Sequence, residues 1–153
     1  AAERSRVDRV SRQCIAFSAL TGLVLGNLAY FFGAPLAGIY APDEPEVVRQ
    51  ALLRMLFICC PYSLCGMMDT LVGILRGLGS AVIPMFVSIV GACGLRLLWV
   101  AAIFPLCRTP ACLYLSYPVT WVITGLFHLV FLIFVVRPRA FAKLQNTESA
   151  YLP

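Results

Sequence analysis

The stretch ACLYLSYPVTWVITGLFHLVFLIFVV, which runs from Ala111 to Val136, decides the fold class of this protein. It contains no Asp, Glu, Lys or Arg, and its one histidine is His128. A helix crosses the hydrocarbon of a bilayer with about 20 apolar residues, and this stretch is longer than that. Because lipid offers no hydrogen-bond partners to an irregular backbone, the stretch predicts a transmembrane helix.

The composition extends this interpretation to the whole chain. The 153 residues are 61% hydrophobic and only 12% charged. A soluble domain of this size has too little interior volume to bury so large a share of apolar side chains. The sequence therefore predicts an all-α integral membrane protein whose main partner is the lipid bilayer.

Several classes of function are disfavoured. The net charge of +5 comes from basic residues that flank apolar runs, without the basic stripe and interleaved aromatics of a nucleic-acid-binding surface. The seven cysteines form no CxxC pair, so we expect no metal site and no cofactor. Cys107 and Cys112 share a short outer loop, where we expect accessible free thiols rather than a disulfide. His128 is the only histidine and no Ser or Cys beside it forms a nucleophile pair, so we do not expect an enzyme.

Four apolar segments are long enough to cross the bilayer. The connections between them are short and rich in turn-forming residues, so consecutive helices are predicted to run antiparallel. The four segments are 14–41, 50–75, 81–107 and 111–136.

The four helices form one transmembrane part, residues 14–144. It lies between a basic segment, residues 1–13, and a polar tail, residues 145–153. The chain opens with Ala1 and has no secretory signal, so we expect it to begin within a longer gene product.

The distribution of Lys and Arg predicts the orientation. The connection after the first span and the one after the third carry Arg49 and Arg108, which makes two basic residues on that face. The opposite face carries eight: Arg4, Arg6, Arg9, Arg12, Arg76, Arg137, Arg139 and Lys143. The positive-inside rule places the face with eight in the cytoplasm. We therefore expect a plasma-membrane protein with both ends of this chain in the cytoplasm.

Ionisable residues inside a span are candidates for function because they are costly in lipid. Asp69 precedes Arg76 by about 10 Å of helix, too deep for a carboxylate to reach water along lipid. It is either a structural hydrogen-bond acceptor or a carboxylate that binds a proton or cation. His128 lies about 14 Å before Arg137, where a neutral imidazole bonded to a backbone carbonyl is favoured over a role in a shared cavity. Arg96, in the outer half of its span, is either part of an exit vestibule or an interfacial anchor.

Proline and glycine add weaker signals. Pro61 in the second span and Pro118 in the fourth are expected to free backbone carbonyls and bend their helices. Such bends occur at the binding sites of transporters. The segments 22–26 and 73–77 each read Gly-x-x-x-Gly, which predicts close approach of neighbouring helices.

The segment GILRGLGSAVIPM, from Gly73 to Met85, reads as a helix end, a glycine loop and a new helix. It resembles the multidrug and toxic compound extrusion (MATE) family, especially its bacterial branch. In that family Leu-Arg-Gly-x-Gly followed by Pro-Met joins the fourth and fifth helices of a six-helix repeat. The likeness covers nearly the whole chain, from about Ser5 to Val136. The loop residues that carry it are Arg76, Gly77, Gly79 and Pro84.

The resemblance implies the last four helices of a twelve-helix, two-lobe transporter, with eight N-terminal helices of the same polypeptide outside this chain. Such a protein exports drugs, organic cations and other amphipathic molecules by antiport against sodium ions or protons. The family often carries a carboxylate eleven residues before the loop arginine, a position held here by Cys65. The acid of this chain is Asp69, one helical turn nearer the cytoplasm. The resemblance thus implies ion coupling by Asp69 across a shift of one turn.

Two other functions stay open at this point. The first is a flippase for lipid or polysaccharide within the same superfamily. The second is a scaffold of four membrane helices that transports nothing. The sequence upstream of Ala1 would separate these, because eight more spans with a second copy of the pattern would exclude the scaffold.

Overall fold

A computed structural model describes residues 2–142, so the predicted polar tail, 145–153, lies outside the described residues. The described chain is almost entirely helical, which confirms the all-α prediction. Two segments, here labelled π1 and π2, are π-helical turns within longer helices. In chain order the elements are α1 (Ala2–Phe31), α2 (Gly33–Tyr40), α3 (Pro45–Cys59), α4 (Tyr62–Gly77), α5 (Val82–Ile89), π1 (Val90–Gly94), α6 (Leu95–Ala102), α7 (Phe104–Cys107), α8 (Pro110–Phe131) and π2 (Leu132–Val136).

Within residues 2–142, three continuous helical stretches are long and apolar enough to cross a membrane: Ser5–Phe31, Val82–Cys107 and Pro110–Ala142. A fourth span results if α3 and α4, which are bent by 42° relative to each other, count as one. The first helix begins before its predicted span, and the last helix ends after its predicted span. The first helix already includes most of the basic segment, because arginine and glutamate are good helix formers and let it continue beyond the apolar part.

The break in the second span coincides with a proline. Proline lacks a backbone N–H and its ring collides with the preceding turn, so the hydrogen-bond ladder of α3 ends at Cys59. The chain resumes its helix when the Leu64 N–H donates to the Pro61 carbonyl at 2.9 Å. Pro118 lies inside α8, which continues through it without interruption. Only one of these two prolines therefore divides its span.

Helices α4 and α8 form the centre of the bundle, and α1 packs along α4. The completely apolar part of the core is small, as expected when most apolar side chains face lipid. It joins the C-terminal half of α4 to π2, which follows α8. Its buried members are Leu71, Leu75, Leu132 and Val136.

Glycine lets α1 approach the turn between α3 and α4. A Cβ on Gly26 would lie 2.0 Å from the carbonyl oxygen of Cys59, and one on Gly22 would lie 2.8 Å from the Cα of Ser63. The close approach predicted for segment 22–26 is therefore confirmed.

Segment 73–77 behaves differently although it reads the same. A Cβ on Gly73 or on Gly77 would meet no atom within 4 Å in the described chain. The close approach predicted for this segment is therefore wrong within residues 2–142. The same motif serves packing only where a neighbouring helix faces it.

The outside of the bundle is covered by large apolar side chains. Phe17, Phe31, Leu97 and Phe134 are between 71% and 79% exposed. In water such a surface would drive aggregation, whereas in lipid it has the same polarity as its surroundings. The structure therefore fits a bilayer environment.

Candidate functional site

The candidate site begins on the open face of α4. Tyr62, Cys65 and Asp69 follow one another at intervals of three and four residues, which places them on one side of the helix. A neighbouring side of the helix is buried and apolar, with Met68 and Leu75 among its members. Asp69 is exposed, and no basic side chain among residues 5–142 forms an ion pair with it.

Arg96 approaches this face from α6. Its guanidinium carbon lies 3.9 Å from the centre of the Tyr117 ring, on α8, in a cation–π arrangement. The Arg96 Nε is buried and has no hydrogen-bond partner in the described chain. An arginine held mainly by a ring face inside a span retains capacity for another ligand.

Two further aromatic contacts join α8 to α4. The Tyr117 and Trp121 rings meet edge to face with centres 6.2 Å apart, and Trp121 meets Tyr62 in the same way at 6.2 Å. Trp121 is only 7% exposed, so it is a fixed part of the core between the two helices. These contacts bring the α4 face and the Arg96–Tyr117 pair into one neighbourhood.

Cys65 lies between the two charges of this neighbourhood. Its thiol is within electrostatic range of both Asp69 and Arg96, and it is one helical turn from Asp69 toward the N-terminus of α4. A carboxylate, a guanidinium and aromatic faces are thus presented together. The residues that make up this Asp69–Arg96 surface are Tyr62, Cys65, Asp69, Arg96, Tyr117 and Trp121.

His128 belongs to a different environment. Its side chain is completely buried, and its Nε2 lies 3.2 Å from the Pro84 carbonyl oxygen and 3.5 Å from the Ser88 hydroxyl on α5. The hydrogen bond to Pro84 requires the proton on Nε2, which leaves the buried Nδ1 without a partner among the described residues. The structure therefore brings His128 to α5, whereas Asp69 lies on the open face of α4.

A buried polar row on α8 was not foreseen from the sequence. Its members recur every four residues and are at most 1% exposed. The signal was present, since polar residues at this spacing share one helix face even inside an apolar span. Two members of the row face α5 and π1, since Thr124 packs against Gly91 and His128 contacts Pro84. It consists of Ser116, Thr120, Thr124 and His128.

The glycine loop stops α4 and positions α5. The Ser80 N–H donates to the Leu75 carbonyl and the Gly79 N–H donates to the Arg76 carbonyl, both at 3.0 Å. This pair of bonds is a Schellman cap, which needs a left-handed residue at the position of Gly79, where φ is +88°.

The other residues of the loop motif lie on either side of this cap. Gly77 and Arg76 are in the last turn of α4, and buried Pro84 supplies the carbonyl that His128 contacts. Within the loop motif, Gly79 and Pro84 thus have structural roles.

The cysteines within residues 2–142 are all free. The expected accessibility of Cys112 is wrong: its side chain is buried in the first turn of α8, whereas Cys107 is exposed. The reason is the contact between α6 and α8, where the Trp99 indole N–H donates to the Cys112 carbonyl at 2.9 Å.

Among the described residues, no group of three or more His, Cys, Asp or Glu is arranged to hold a metal ion.

Comparison with known proteins adds one finding to this geometry. The MatE family model matches residues 1–100, which include α1 to α5, π1 and most of α6. No curated protein matches the chain, and no solved structure matches it. The matched part covers well over half of the 153 residues and contains both the Asp69 face of α4 and the glycine loop. This chain therefore belongs to the MatE family of membrane transporters.

Proposed function

We propose that this chain serves secondary active efflux, in which drugs or organic cations leave the cell in exchange for sodium ions or protons. The observation that supports this proposal is the Asp69–Arg96 surface, where a carboxylate without an ion-pair partner among residues 5–142 lies on the same face of α4 as Tyr62, whose ring contacts Trp121. The protein needs no cofactor for this task, because the ion gradient supplies the free energy.

Asp69 is the proposed coupling group. A carboxylate deep in a membrane protein is costly to keep charged unless a cation or hydrogen-bond donor compensates its lost hydration. No basic side chain of residues 5–142 neutralises Asp69. A proton or a sodium ion is then the natural counter-charge, and its arrival or departure changes the charge of the whole surface.

The aromatic part of the surface suits an organic cation. The Arg96 guanidinium, which is planar and delocalised, already occupies one face of Tyr117 and shows that this ring accepts such a cation. A cationic drug would use the same kind of contact together with the negative charge of Asp69. Further helices of the transporter would close the open side of α4.

The proposed setting is the plasma membrane, with both ends of the chain in the cytoplasm. This orientation rests on the eight-to-two distribution of Lys and Arg between the two faces. In it, Asp69 lies toward the cytoplasmic end of its span and Arg96 toward the outer end. An ion or a drug that crosses from one side of the membrane to the other would then pass this surface.

Replacement of Asp69 by asparagine tests the proposal. Asp69→Asn retains the size of the side chain and most of its hydrogen bonding but removes the charge. In membranes that contain the product of the complete gene, we expect normal protein levels and a loss of gradient-driven export of a cationic dye of at least tenfold. The measurement is dye efflux after an imposed sodium or proton gradient, and the gradient that supports efflux identifies the coupling ion.

Asp43→Asn is the matched control, because Asp43 is an exposed acid in the connection before α3. We expect it to export the dye at the unmodified rate. Wild-type export by Asp69→Asn would show that Asp69 does not couple the ion. Absence of dye export from the unmodified protein, with transfer of a labelled lipid across the bilayer instead, would favour the flippase.

A further inference from the structure

A cavity that shares no lining residue with the Asp69–Arg96 surface lies at the end of the bundle that this orientation places in the cytoplasm. Its volume is about 410 Å³, and it is bounded by α1, the last turn of α4 and the end of α8 with π2. The lining changes character along α1, from Asp8, Ser11 and Arg12 at one end to Ile15 at the other. The cavity is therefore amphipathic, with a polar mouth and an apolar wall.

The polar mouth carries an excess positive charge. Asp8 forms an ion pair with Arg137, which ties α1 to the helical turn that follows π2. The Arg12 Nε donates to the main-chain carbonyl of Asp8 at 3.4 Å, and no carboxylate within residues 5–142 pairs with its guanidinium. The mouth thus holds two guanidinium groups and one carboxylate, which pairs with Arg137, and Arg12 has no counter-ion within residues 5–142.

Two further helices complete the apolar wall beside Ile15 of α1. Ile74 and Leu78 come from the end of α4, Leu129 from α8, and Leu132 and Ile133 from π2. None of these side chains can form hydrogen bonds, so this part of the cavity accepts only an apolar group. A free inorganic anion would use the mouth and leave the wall uncovered.

We infer that this cavity binds an anionic phospholipid of the surrounding membrane. The phosphodiester oxygens accept hydrogen bonds from the Arg12 guanidinium and the Ser11 hydroxyl, and the upper part of an acyl chain covers the wall formed by Ile74, Leu129 and Ile133. The site lies where basic residues flank the ends of three membrane helices, which is the level of the lipid headgroups. The inference does not depend on the proposed efflux function.

Native mass spectrometry of the purified protein tests this site. The protein is released from detergent in the presence of phosphatidylglycerol or phosphatidylcholine, and the fraction that retains one lipid is measured. We expect the unmodified protein to prefer phosphatidylglycerol, and Arg12→Gln to reduce that preference about fivefold, the effect expected of one basic residue near an anionic headgroup. Arg9→Gln is the matched control, because Arg9 is exposed on the same helix and does not line the cavity.

A second pair of variants tests the apolar wall without changing charge. Ile133→Trp fills the cavity and should reduce retention of both lipids, whereas Phe134→Trp alters an exposed neighbour and should leave retention unchanged. This pair decides the question even if Arg12→Gln fails to fold, as judged by circular dichroism.

An equal loss for Arg9→Gln and Arg12→Gln would show a diffuse surface charge and overturn the inference. Displacement of the lipid by inorganic phosphate, with no effect of Ile133→Trp, would show an anion site and also overturn it.

Discussion

At Gly91 the absence of a side chain decides how closely π1 and α8 approach. A Cβ at this position would lie 2.2 Å from Oγ1 and 2.8 Å from Cγ2 of Thr124. Thr124 is 1% exposed, so its side chain has no free space into which to turn. One turn further along α8, His128 contacts the Pro84 carbonyl across the same interface. The buried polar row of α8 therefore depends on a glycine in the facing helix.

Gly91→Ala is predicted to destabilise the protein by about 1–3 kcal/mol, the usual cost of adding a methylene to a filled interface. The measurement is the midpoint of thermal unfolding in detergent. The double variant Gly91→Ala with Thr124→Ala removes both of the closest atoms and should recover part of the loss. Gly73→Ala is the control, because a Cβ there meets nothing within 4 Å of the described chain and alanine favours a helix. Equal destabilisation by the two alanines would contradict this account.

Among the elements, α4 ends abruptly and has one buried apolar face and one exposed face with an acidic side chain. One face is buried against α8 through Met68 and Leu75, and the other presents Asp69. The Schellman cap at Gly79 closes the helix and turns the chain directly into α5. Because α5 carries the Pro84 carbonyl that His128 contacts, the cap also sets the position of the α5–α8 interface.

Gly79→Ala is predicted to destabilise the protein by about 1–2 kcal/mol, because an alanine Cβ is strained at a φ of +88°. Gly77→Ala is the control two residues earlier. Gly77 ends α4, and a methyl group there would meet no atom within 4 Å of the described chain, so a neutral effect or a slight gain is expected. Both are measured by thermal unfolding in the same detergent. A smaller loss for Gly79→Ala than for Gly77→Ala would rule out the cap as the reason for the glycine.

For the molecule as a whole, orientation in the membrane is the property that links the two proposed sites. In the proposed orientation, the cytoplasmic end carries the proposed lipid cavity with Arg12 and Arg137, and the outer end carries the exposed loop that contains Cys107 and Arg108. Arg108 adopts a left-handed conformation, with φ of 45°, where the chain turns from α7 to α8. In that orientation the short loop would keep Cys107 close to the outer membrane surface.

Labelling of Cys107 with an impermeant maleimide tests the orientation. We expect Cys107 to react from outside intact cells, and Cys112 not to react because it is buried. Cys107→Ser should abolish the external label, whereas Cys112→Ser should leave it unchanged. Reaction of Cys107 only after the cytoplasmic face is opened would reverse the assigned orientation.

Features that depend on local chemistry and on solvent could be predicted from the sequence alone. Long apolar stretches such as 111–136 have only the bilayer as a suitable environment, so the all-α membrane class followed from their length. The glycine loop followed from Arg76-Gly-Leu-Gly, because a left-handed helix cap needs glycine. A bend at Pro61 was predicted from the missing N–H of proline, whereas α8 continues through Pro118 despite the same missing group.

Which helix faces meet became known only from the packing of the helices. In a membrane, both the lipid-facing and the buried sides of a helix are apolar, so the hydrophobic pattern does not indicate the inner face as it does in water. Sequence position therefore assigned Asp69 and His128 similar depths but did not separate the open face of α4 from the contact with α5. The cation–π pair of Arg96 and Tyr117, and the burial of Cys112, likewise arise where α6 meets α8, because side chains distant in sequence are brought together only by packing of the helices.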